Sequence, residues 1–393
     1  MGRSTLRKKI CMSVIGLSSF TVLASNFVQF PEPESEPAQY QIADLGVGMY
    51  PSRVNNSGTV VGILTGRLQG TEAFVWREET GRNDLKIDSE SLSFANDISD
   101  SGLVVGHVGD QKGASRAYSW MSQNLDFDFS PFKEGQSIAY GVNTDGYMVG
   151  QVGENALSNF EAFRYEPGQG VRHLGTLGGN LSQASALNDR GEVVGWSVTA
   201  DRRTHAFKWV EEQGMIDLGT LGGERSLAAA INEEGLIVGQ AQTREGSTHA
   251  ALFRDTKITD LGSMGGRWSL ASDINNHGLI VGQADGEPDR MPEFAKRALN
   301  LGARLFSSQL VKTSSRAVLW KEGSPQDLNR LIPQGSEWTA LSAATGVNDR
   351  GQIVGFGNKN GHLHGFLLTP VELEEESNVA VTVALESSFL SVN

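Results

Sequence analysis

The chain has 393 residues, of which 20% are charged, and its 47 glycines far outnumber its 11 prolines. The formal net charge of −13 argues against a nucleic-acid-binding surface, because neutralising phosphates needs clustered Lys and Arg. A chain of this length would ordinarily hold about two or three domains, but internal repetition assigns most of it to one. A Gly-rich and moderately apolar composition is typical of many short strands joined by tight turns.

The N-terminus has the pattern of a secretory signal peptide. Basic residues at 3–9 precede an apolar stretch at 10–23, and cleavage is expected after Ala24, so that residues 1–24 form the signal. The stretch is shorter than the roughly 20 residues of a spanning helix, so no membrane span is expected in the mature chain. An uncleaved anchor is the alternative. Cys11 is the only cysteine, and a mature chain without disulfides is typical of an exported bacterial protein, periplasmic or extracellular.

A Pro/Glu-rich spacer at 25–39 leads into a repeated motif, in which Asn-x-x-Gly is followed by a Val-Val-Gly segment. Its seven copies end at Gly62, Gly106, Gly150, Gly195, Gly239, Gly282 and Gly355. The spacings between these glycines are 44, 44, 45, 44, 43 and 73 residues. A period near 44 residues is expected for the four-stranded blades of a β-propeller, and the segments lack the 3.6-residue periodicity of helical repeats.

The same succession of segments follows each copy. A second apolar segment (HAFKW at 205–209) is followed by one ending in Asp-Leu-Gly (MIDLG at 215–219), a Gly-rich link and a small-residue strand such as ASALN at 184–188. The small-residue strand is expected innermost, because blades converge at the axis. The sequence therefore predicts an all-β, seven-bladed β-propeller of four-stranded blades at residues 40–370.

The two ends of the repeat array complement each other. The last repeat stops after HGFLL at 364–368 and has no Asp-Leu-Gly segment, whereas an unaccompanied YQIADLG precedes the first copy at 40–46. Placing 40–46 on the outside of the seventh blade closes the ring and limits exposed edges. An acidic C-terminal tail at 371–393 follows the array.

One repeat departs from the period. The 73-residue spacing, against the usual 44, places an insertion of about 29 residues in blade six, at 285–315. Phe294, Leu301 and Leu305 stand at helical spacing and predict a short helix, which also carries the basic Arg304. Long loops that interrupt a regular scaffold are often functional. A packing lid without a ligand is the alternative.

The recurring polar residues have structural explanations. In Asn-x-x-Gly the Asn side chain can bond the turn, and the Gly can take a positive φ. Calcium binding by neighbouring acids such as Asp189 or Glu233 is less favoured, because no Asp-x-Asp-x-Asp-Gly loop is present. His205, His249 and His364 recur at one repeat position, but Glu or Arg takes that position elsewhere. No metal site and no cofactor are therefore predicted.

With HAF at 205–207 and DLGTLGG at 217–223, the sequence resembles the HAF family of extracellular bacterial repeats. The resemblance covers about residues 40–370 and is strongest in repeats four to six. It implies export and a propeller-like repeat array. It implies no catalytic activity, and no functional residues carry over from it.

Motifs for catalysis are missing from the mature sequence. It contains no Gly-x-Ser-x-Gly nucleophile elbow, no His-Glu-x-x-His zinc helix and no phosphate loop. We therefore predict no catalytic residues and a monomeric scaffold that binds a protein or a surface glycan. The alternative is a propeller-type polysaccharide hydrolase or lyase, which would need carboxylates or a His/Tyr pair gathered in one pocket.

Four residues are predicted to contact the partner. Arg225, Arg267 and Trp268 lie in or beside the links between repeats, on the face expected to carry the blade-six insertion with Arg304. Aromatic and Arg side chains offer large contact areas and charge-assisted hydrogen bonds, and basic groups stand out in an acidic protein. A Trp that merely covers its link is the alternative for Trp268.

Overall fold

The computed structural model describes residues 39–66, 70–85, 92–109, 114–121, 127–129, 135–155, 158–255, 257–285, 315–321 and 323–371. These residues form strands and turns together with one 3₁₀ turn, η1, at Leu328–Arg330. The predictions for the signal peptide, the spacer, the helix in the blade-six insertion and the acidic tail lie outside the described residues, apart from boundary positions.

The described strands assemble antiparallel in groups of four, which we number in chain order. Group 1 contains β2 (Met49–Val54), β3 (Val60–Gly66), β4 (Gly70–Arg77) and β5 (Gly81–Leu85). Group 2 contains β6 (Leu92–Ile98), β7 (Leu103–Gly109), β8 (Ser115–Met121) and β9 (Phe127–Phe129). Group 3 contains β10 (Gln136–Val142), β11 (Met148–Asn155), β12 (Ser158–Glu166) and β13 (Gly170–His173). Group 4 contains β14 (Gly178–Leu187), β15 (Val193–Thr199), β16 (Thr204–Val210) and β17 (Gly214–Asp217).

The later groups follow the same plan. Group 5 contains β18 (Gly222–Ile231), β19 (Ile237–Thr243), β20 (Thr248–Arg254) and β21 (Lys257–Gly262). Group 6 contains β22 (Ser269–Ile274), β23 (Ile280–Asp285), β24 (Ser315–Lys321) and β25 (Ser324–Asp327). Group 7 contains β26 (Trp338–Val347), β27 (Ile353–Lys359), β28 (His362–Pro370) and β1 (Tyr40–Val47). Groups 4 and 5 share one sheet through a single parallel pair, and the other groups are separate sheets.

The order of strands agrees with the sequence prediction. In each group the small-residue strand lies at one edge, and the strand of the Asp-Leu-Gly position lies at the other. β1 pairs with β28, so that Ile42 is opposite Leu368 and Asp44 is opposite Phe366. The predicted pairing of 40–46 with the last repeat is therefore confirmed.

The glycine that ends each Val-Val-Gly segment lies directly against the first strand of its group. A Cβ on Gly239 would lie 2.0 Å from the carbonyl oxygen of Leu227. The first strand bulges there, with a shift of register between Ala228 and Ala230. Since no other residue can tolerate this approach, the recurrence of Gly at this position is a packing requirement.

Apolar side chains fill the spaces between consecutive groups. Trp120, Trp209 and Trp320 at the ends of third strands are 0%, 3% and 1% exposed, and each lies in a cluster shared by two groups. The last group packs on the first in the same way, since Leu367 belongs to one cluster with Phe74. These Trp residues therefore pack between neighbouring groups.

In every group except group 2, an asparagine that follows the first strand bonds the group to the next one. In group 5, Asn232 Oδ1 accepts from its own turn, at 3.1 Å from Glu234 N and 3.0 Å from Leu236 N. Its Nδ2 donates to the carbonyl oxygen of Asn275 in group 6 at 3.1 Å. Equivalent bonds of 2.9–3.3 Å run from Asn55 to Ser99, Asn143 to Asn188, Asn188 to Asn232, Asn275 to Asn348 and Asn348 to Asn55.

A buried serine in the first strand provides a second connection. The serine Oγ accepts the backbone N–H of the alanine in the third strand of the preceding group. The bonds are 2.7–3.0 Å long and join Ala73 to Ser93, Ala117 to Ser137, Ala162 to Ser182, Ala206 to Ser226 and Ala250 to Ser269. All five alanines are 0% exposed, which explains the small residue at the centre of HAF.

Group 2 lacks the asparagine, and this gives a test of the connection. Ser99 Oγ bonds Leu103 N at 3.1 Å and Ser101 Oγ at 2.8 Å, and it has no amide nitrogen to reach the Asn143 carbonyl. We expect Ser99→Asn to supply the missing bond and to raise the free energy of unfolding by about 1 kcal/mol, as measured by urea denaturation.

The matched control is Asn275→Ser, which gives group 6 the residue of group 2. It removes the bond to the Asn348 carbonyl and should lower the free energy of unfolding by about 1–2 kcal/mol. If both variants unfold at the urea concentration of the parent, the side-chain bonds between groups contribute nothing.

Candidate functional site

A polar depression of ≈ 200 Å³ lies at the ends of the first strands and is lined by residues from groups 1 to 7. We call this end, which carries the Asn-x-x-Gly turns, the turn edge. Its charged side chains nearest the strands are Arg53, Asp97 and Asp273, from groups 1, 2 and 6. The repeat spacing does not indicate that these three would meet, because the position they share is Arg in group 1, Asp in groups 2 and 6, and Gly or Ala in the other groups.

Arg53 connects four groups. Its Nε lies 3.9 Å from Asp97 Oδ1 and 4.0 Å from Asp273 Oδ2, and its Nη1 donates to the Thr345 carbonyl of group 7 at 2.7 Å. The three charged side chains are 24%, 19% and 13% exposed, so water reaches them only partly. One guanidinium group therefore lies near two carboxylates in a half-buried site.

Burial raises the pKa of Asp97 to about 6, against the opposing effect of Arg53. Burial also raises the pKa of Asp273. Both carboxylates accept backbone N–H groups of the following group, Asp97 from Val142 at 3.0 Å and Asp273 from Val347 at 2.9 Å. Shifted carboxylates in a depression are candidates for acid–base chemistry, but here they also hold neighbouring groups together.

The rim of the depression consists of the turn residues that follow the asparagines. Each side chain accepts the backbone N–H of the preceding group's turn at 2.8–3.0 Å, in the pairs Asn56 to Asp100, Thr144 to Asp189, Asp189 to Glu233, Glu233 to Asn276, Asn276 to Asp349 and Asp349 to Asn56. Carboxylates do gather here, as the enzyme alternative requires. Their oxygens are, however, engaged in bonds between groups.

The predicted binding residues lie at the opposite end of the first strands, which we call the link edge. Arg225 lies near the start of β18 and Arg267 just before β22, and both are exposed. Trp268 is half-buried. Among the described residues, neither guanidinium has a hydrogen bond or an ion pair. Arg304 lies outside the described residues.

The structure places Arg225 and Trp268 at equivalent positions of consecutive junctions. Arg225 pairs with Thr204 of group 4, and Trp268 pairs with Thr248 of group 5. The Trp268 carbonyl accepts from Asp285 N at 2.9 Å, and Asp285 is the last described residue before the insertion. The root of the insertion and the Trp are therefore neighbours, as the sequence predicted, although Arg225 belongs to the adjacent junction.

Sequence reasoning missed the partners of the recurring histidines. Each bonds the Asp of the Asp-Leu-Gly position in the same group, with Nδ1 to oxygen distances of 2.9 Å for His205–Asp217, 2.9 Å for His249–Asp260 and 2.8 Å for His364–Asp44. In group 6 the equivalent pair is Arg316 and Asp327, with 2.7 Å between Nη1 and Oδ2. Group 3 inverts the pair, since His173 Nδ1 bonds Glu161 at 3.1 Å. This inversion is visible in the sequence and could have revealed the pairing.

The histidines lie in separate groups, one pair to each. Across the described part of the chain, no three His, Cys, Asp or Glu side chains are placed to hold a metal ion together. The same residues include no helix with the length and hydrophobicity to cross a membrane.

Comparison with known proteins establishes the fold. No model of a protein family matches the chain, and no curated protein does. Among solved structures, oligogalacturonate lyase in complex with manganese is similar with a TM-score of 0.51 and 12% identity, over 86% of this chain and 95% of that one. TolB from Acinetobacter baumannii has a TM-score of 0.44 and 10% identity, over 84% of this chain and 65% of that one. At this identity the likeness to the lyase shows the fold alone, which is an all-β propeller.

The raised pKa of Asp97 predicts a pH dependence of stability. The pKa is about 6 in the folded protein against 3.8 ordinarily, so the folded chain binds this proton more tightly than the unfolded chain. The contribution of Asp97 to the free energy of unfolding should therefore rise by about 2 kcal/mol as the pH falls from 7 to 4. Urea denaturation at several pH values measures it.

Asp97→Asn provides the control for the other titrating groups. The difference in unfolding free energy between parent and variant should change with pH between 7 and 4, because only the parent binds the proton at residue 97. Parallel profiles for the two proteins would show that Asp97 does not titrate in this range.

Proposed function

We propose that the groups of four strands are the seven blades of one closed propeller at residues 40–370, with a helical insertion in blade six. Two observations support closure. Asn348 donates to the Asn55 carbonyl at 2.9 Å, from group 7 to group 1, and Leu367 of group 7 packs with Phe74 of group 1. The depression at the turn edge, lined by groups 1 to 7, is then the mouth of the propeller axis.

The protein is, in this proposal, a non-enzymatic scaffold of the HAF type that binds a protein or a surface glycan. One observation carries this proposal: the recurring polar side chains are used between strands and groups, whereas Arg225 and Arg267 are exposed without a partner among the described residues. Unpaired guanidinium groups in a chain of net charge −13 favour a ligand with carboxylate or sulfate groups.

The binding site consists of Arg225, Arg267 and Trp268, completed by Arg304 of the insertion. Arg225 and Trp268 hold equivalent positions one junction apart, so a ligand that crosses the link edge can contact both. A half-buried Trp beside exposed guanidinium groups combines apolar contact with charge-assisted hydrogen bonds.

A polysaccharide hydrolase or lyase is the second candidate function. Asp97 and Asp273 favour it, because both lie about 4 Å from one guanidinium in the axial depression and have raised pKa values. Release of reducing or unsaturated ends from a polysaccharide, abolished by Asp97→Asn, would establish this function in place of simple binding.

We also propose that residues 1–24 direct export and that the mature chain begins near Ser25. The basic start and the apolar stretch at 10–23 support this proposal. N-terminal sequencing of protein from periplasm, medium and cytosol tests it, and an intact Met1 on cytosolic protein would contradict it.

The binding proposal predicts the effect of two substitutions. Alginate, pectate and chondroitin sulfate, with dextran as the neutral comparison, are the glycan probes for isothermal titration. We expect an acidic glycan to bind, and Arg225→Ala and Trp268→Ala each to weaken its binding by about 2 kcal/mol, roughly 30-fold.

Arg254→Ala is the matched control, because Arg254 is equally exposed but ends β20 at the turn edge. It should leave the affinity unchanged. Equal loss in all three variants would indicate only a general effect of positive charge. Unchanged binding in Arg225→Ala and Trp268→Ala would place the ligand elsewhere.

A further inference from the structure

A second cavity, of ≈ 340 Å³, lies at the link edge between groups 3 and 4. Its lining consists of Phe160, Glu161, Gly175, Thr176, Gly179 and Asn180. None of these belongs to the site proposed above. The cavity differs from the axial depression in combining an aromatic wall with uncharged and charged polar groups.

This junction departs from the repeat at several positions together. The corresponding residues are identified by the Ala–Ser bonds, which join Ala162 to Ser182 here and Ala206 to Ser226 in the next junction. At the five positions around the cavity, the next junction has Thr204, His205, Asp217, Glu224 and Gln240, and this junction has Phe160, Glu161, His173, Asn180 and Trp196. The residues that differ between the two junctions therefore lie around one cavity.

The aromatic wall is held in place from behind. Phe160 is 8% exposed, and its ring meets the Trp196 ring edge-on, with centroids 5.8 Å apart and planes at 88°. Phe160 is one of the residues that line the cavity. A small apolar surface held by a second aromatic ring can contact the C–H groups of a sugar ring.

A glycine and a threonine define the link beside the cavity. A Cβ on Gly179 would lie 2.5 Å from the carbonyl oxygen of Val198, so only Gly fits in that strand. Thr176 Oγ1 donates to the Gly179 carbonyl at 2.9 Å and fixes the link in this position.

The polar groups of the cavity indicate an uncharged ligand. Glu161 Oε2 bonds His173 Nδ1 at 3.1 Å, and the two side chains are 38% and 58% exposed. The Glu161 carboxylate repels anions, and its bond to His173 Nδ1 engages one carboxylate oxygen, so that the other can accept from a hydroxyl group. Asn180 is exposed and offers both a donor and an acceptor.

We propose that this cavity binds one neutral hexose unit of a glycan chain. The sugar ring lies against Phe160, while Glu161 accepts from its hydroxyls and Asn180 exchanges hydrogen bonds with them. Carboxylates and amides suit neighbouring hydroxyls, because each presents two hydrogen-bonding atoms about 2.2 Å apart. The proposal does not depend on Arg225, Arg267 or Trp268.

Saturation-transfer difference NMR on the full mature chain tests it, with the methyl α-glycosides of glucose, galactose and mannose as probes. Aromatic saturation should reach the ring protons of at least one glycoside. Asn180→Ala and Glu161→Gln should each weaken its binding about tenfold, the value of one lost hydrogen bond to a charged or well-placed group. Unfolding curves confirm that these variants remain folded.

Glu224→Ala is the matched control, because Glu224 occupies the position of Asn180 in the next junction. It should leave the transfer unchanged. No transfer to any of the three glycosides, or equal transfer in parent, Asn180→Ala and Glu161→Gln, overturns the proposal. If Trp268→Ala loses acidic-glycan binding but keeps the saturation transfer to the hexose, the two ligands bind at separate sites, as both proposals expect.

Discussion

The hydrogen bond from an asparagine Nδ2 to the carbonyl of the next group is the interaction on which the rest of the structure depends. The same side chain holds its own turn through Oδ1, so the local shape of a hairpin and the placement of its neighbour are coupled. Asn232, for example, bonds Leu236 N at 3.0 Å and the Asn275 carbonyl at 3.1 Å. Both halves of the amide are thereby satisfied in a buried position, where an unpaired polar group would be costly. A shorter or purely accepting side chain can perform only one of the two tasks.

The use of recurring side chains in structural contacts limits which residues can bind a ligand. The Asn, the Ser of the first strand, the Ala of the third and the His–Asp pairs are all occupied in holding strands and groups together. The glycine of each Val-Val-Gly segment is fixed by the bulge it faces, as at Gly239. Residues that break the repeat are left for the two binding proposals, which place a ligand at the junctions of Phe160 and Trp268 at the link edge.

Much of the architecture could be predicted because it depends on features that repeat along the chain. The period, the glycines and the complementary ends at 40–46 and 364–368 define the strand order and the pairing of β1 with β28. Contacts between side chains on neighbouring strands were harder to predict. The bond between His205 and Asp217, for example, can be predicted only when the register of β16 and β17 is known. The meeting of Arg53, Asp97 and Asp273 could not be predicted from spacing, because it depends on how groups 1, 2 and 6 are placed relative to one another. The placement of Arg225 and Trp268 in adjacent junctions follows from the repeat alone.

The turn edge carries excess negative charge for a physical reason. At the turn edge a single guanidinium, Arg53, faces Asp97 and Asp273, so one negative charge is left without full compensation in a half-buried site, and burial raises the pKa of both carboxylates. Asp100, Asp189, Glu233 and Asp349 around the same depression add to this negative potential. At the link edge the exposed guanidinium groups of Arg225 and Arg267 have no carboxylate partner among the described residues. In the binding proposal, an acidic ligand is therefore kept from the depression and contacts the guanidinium groups at the opposite ends of the same strands.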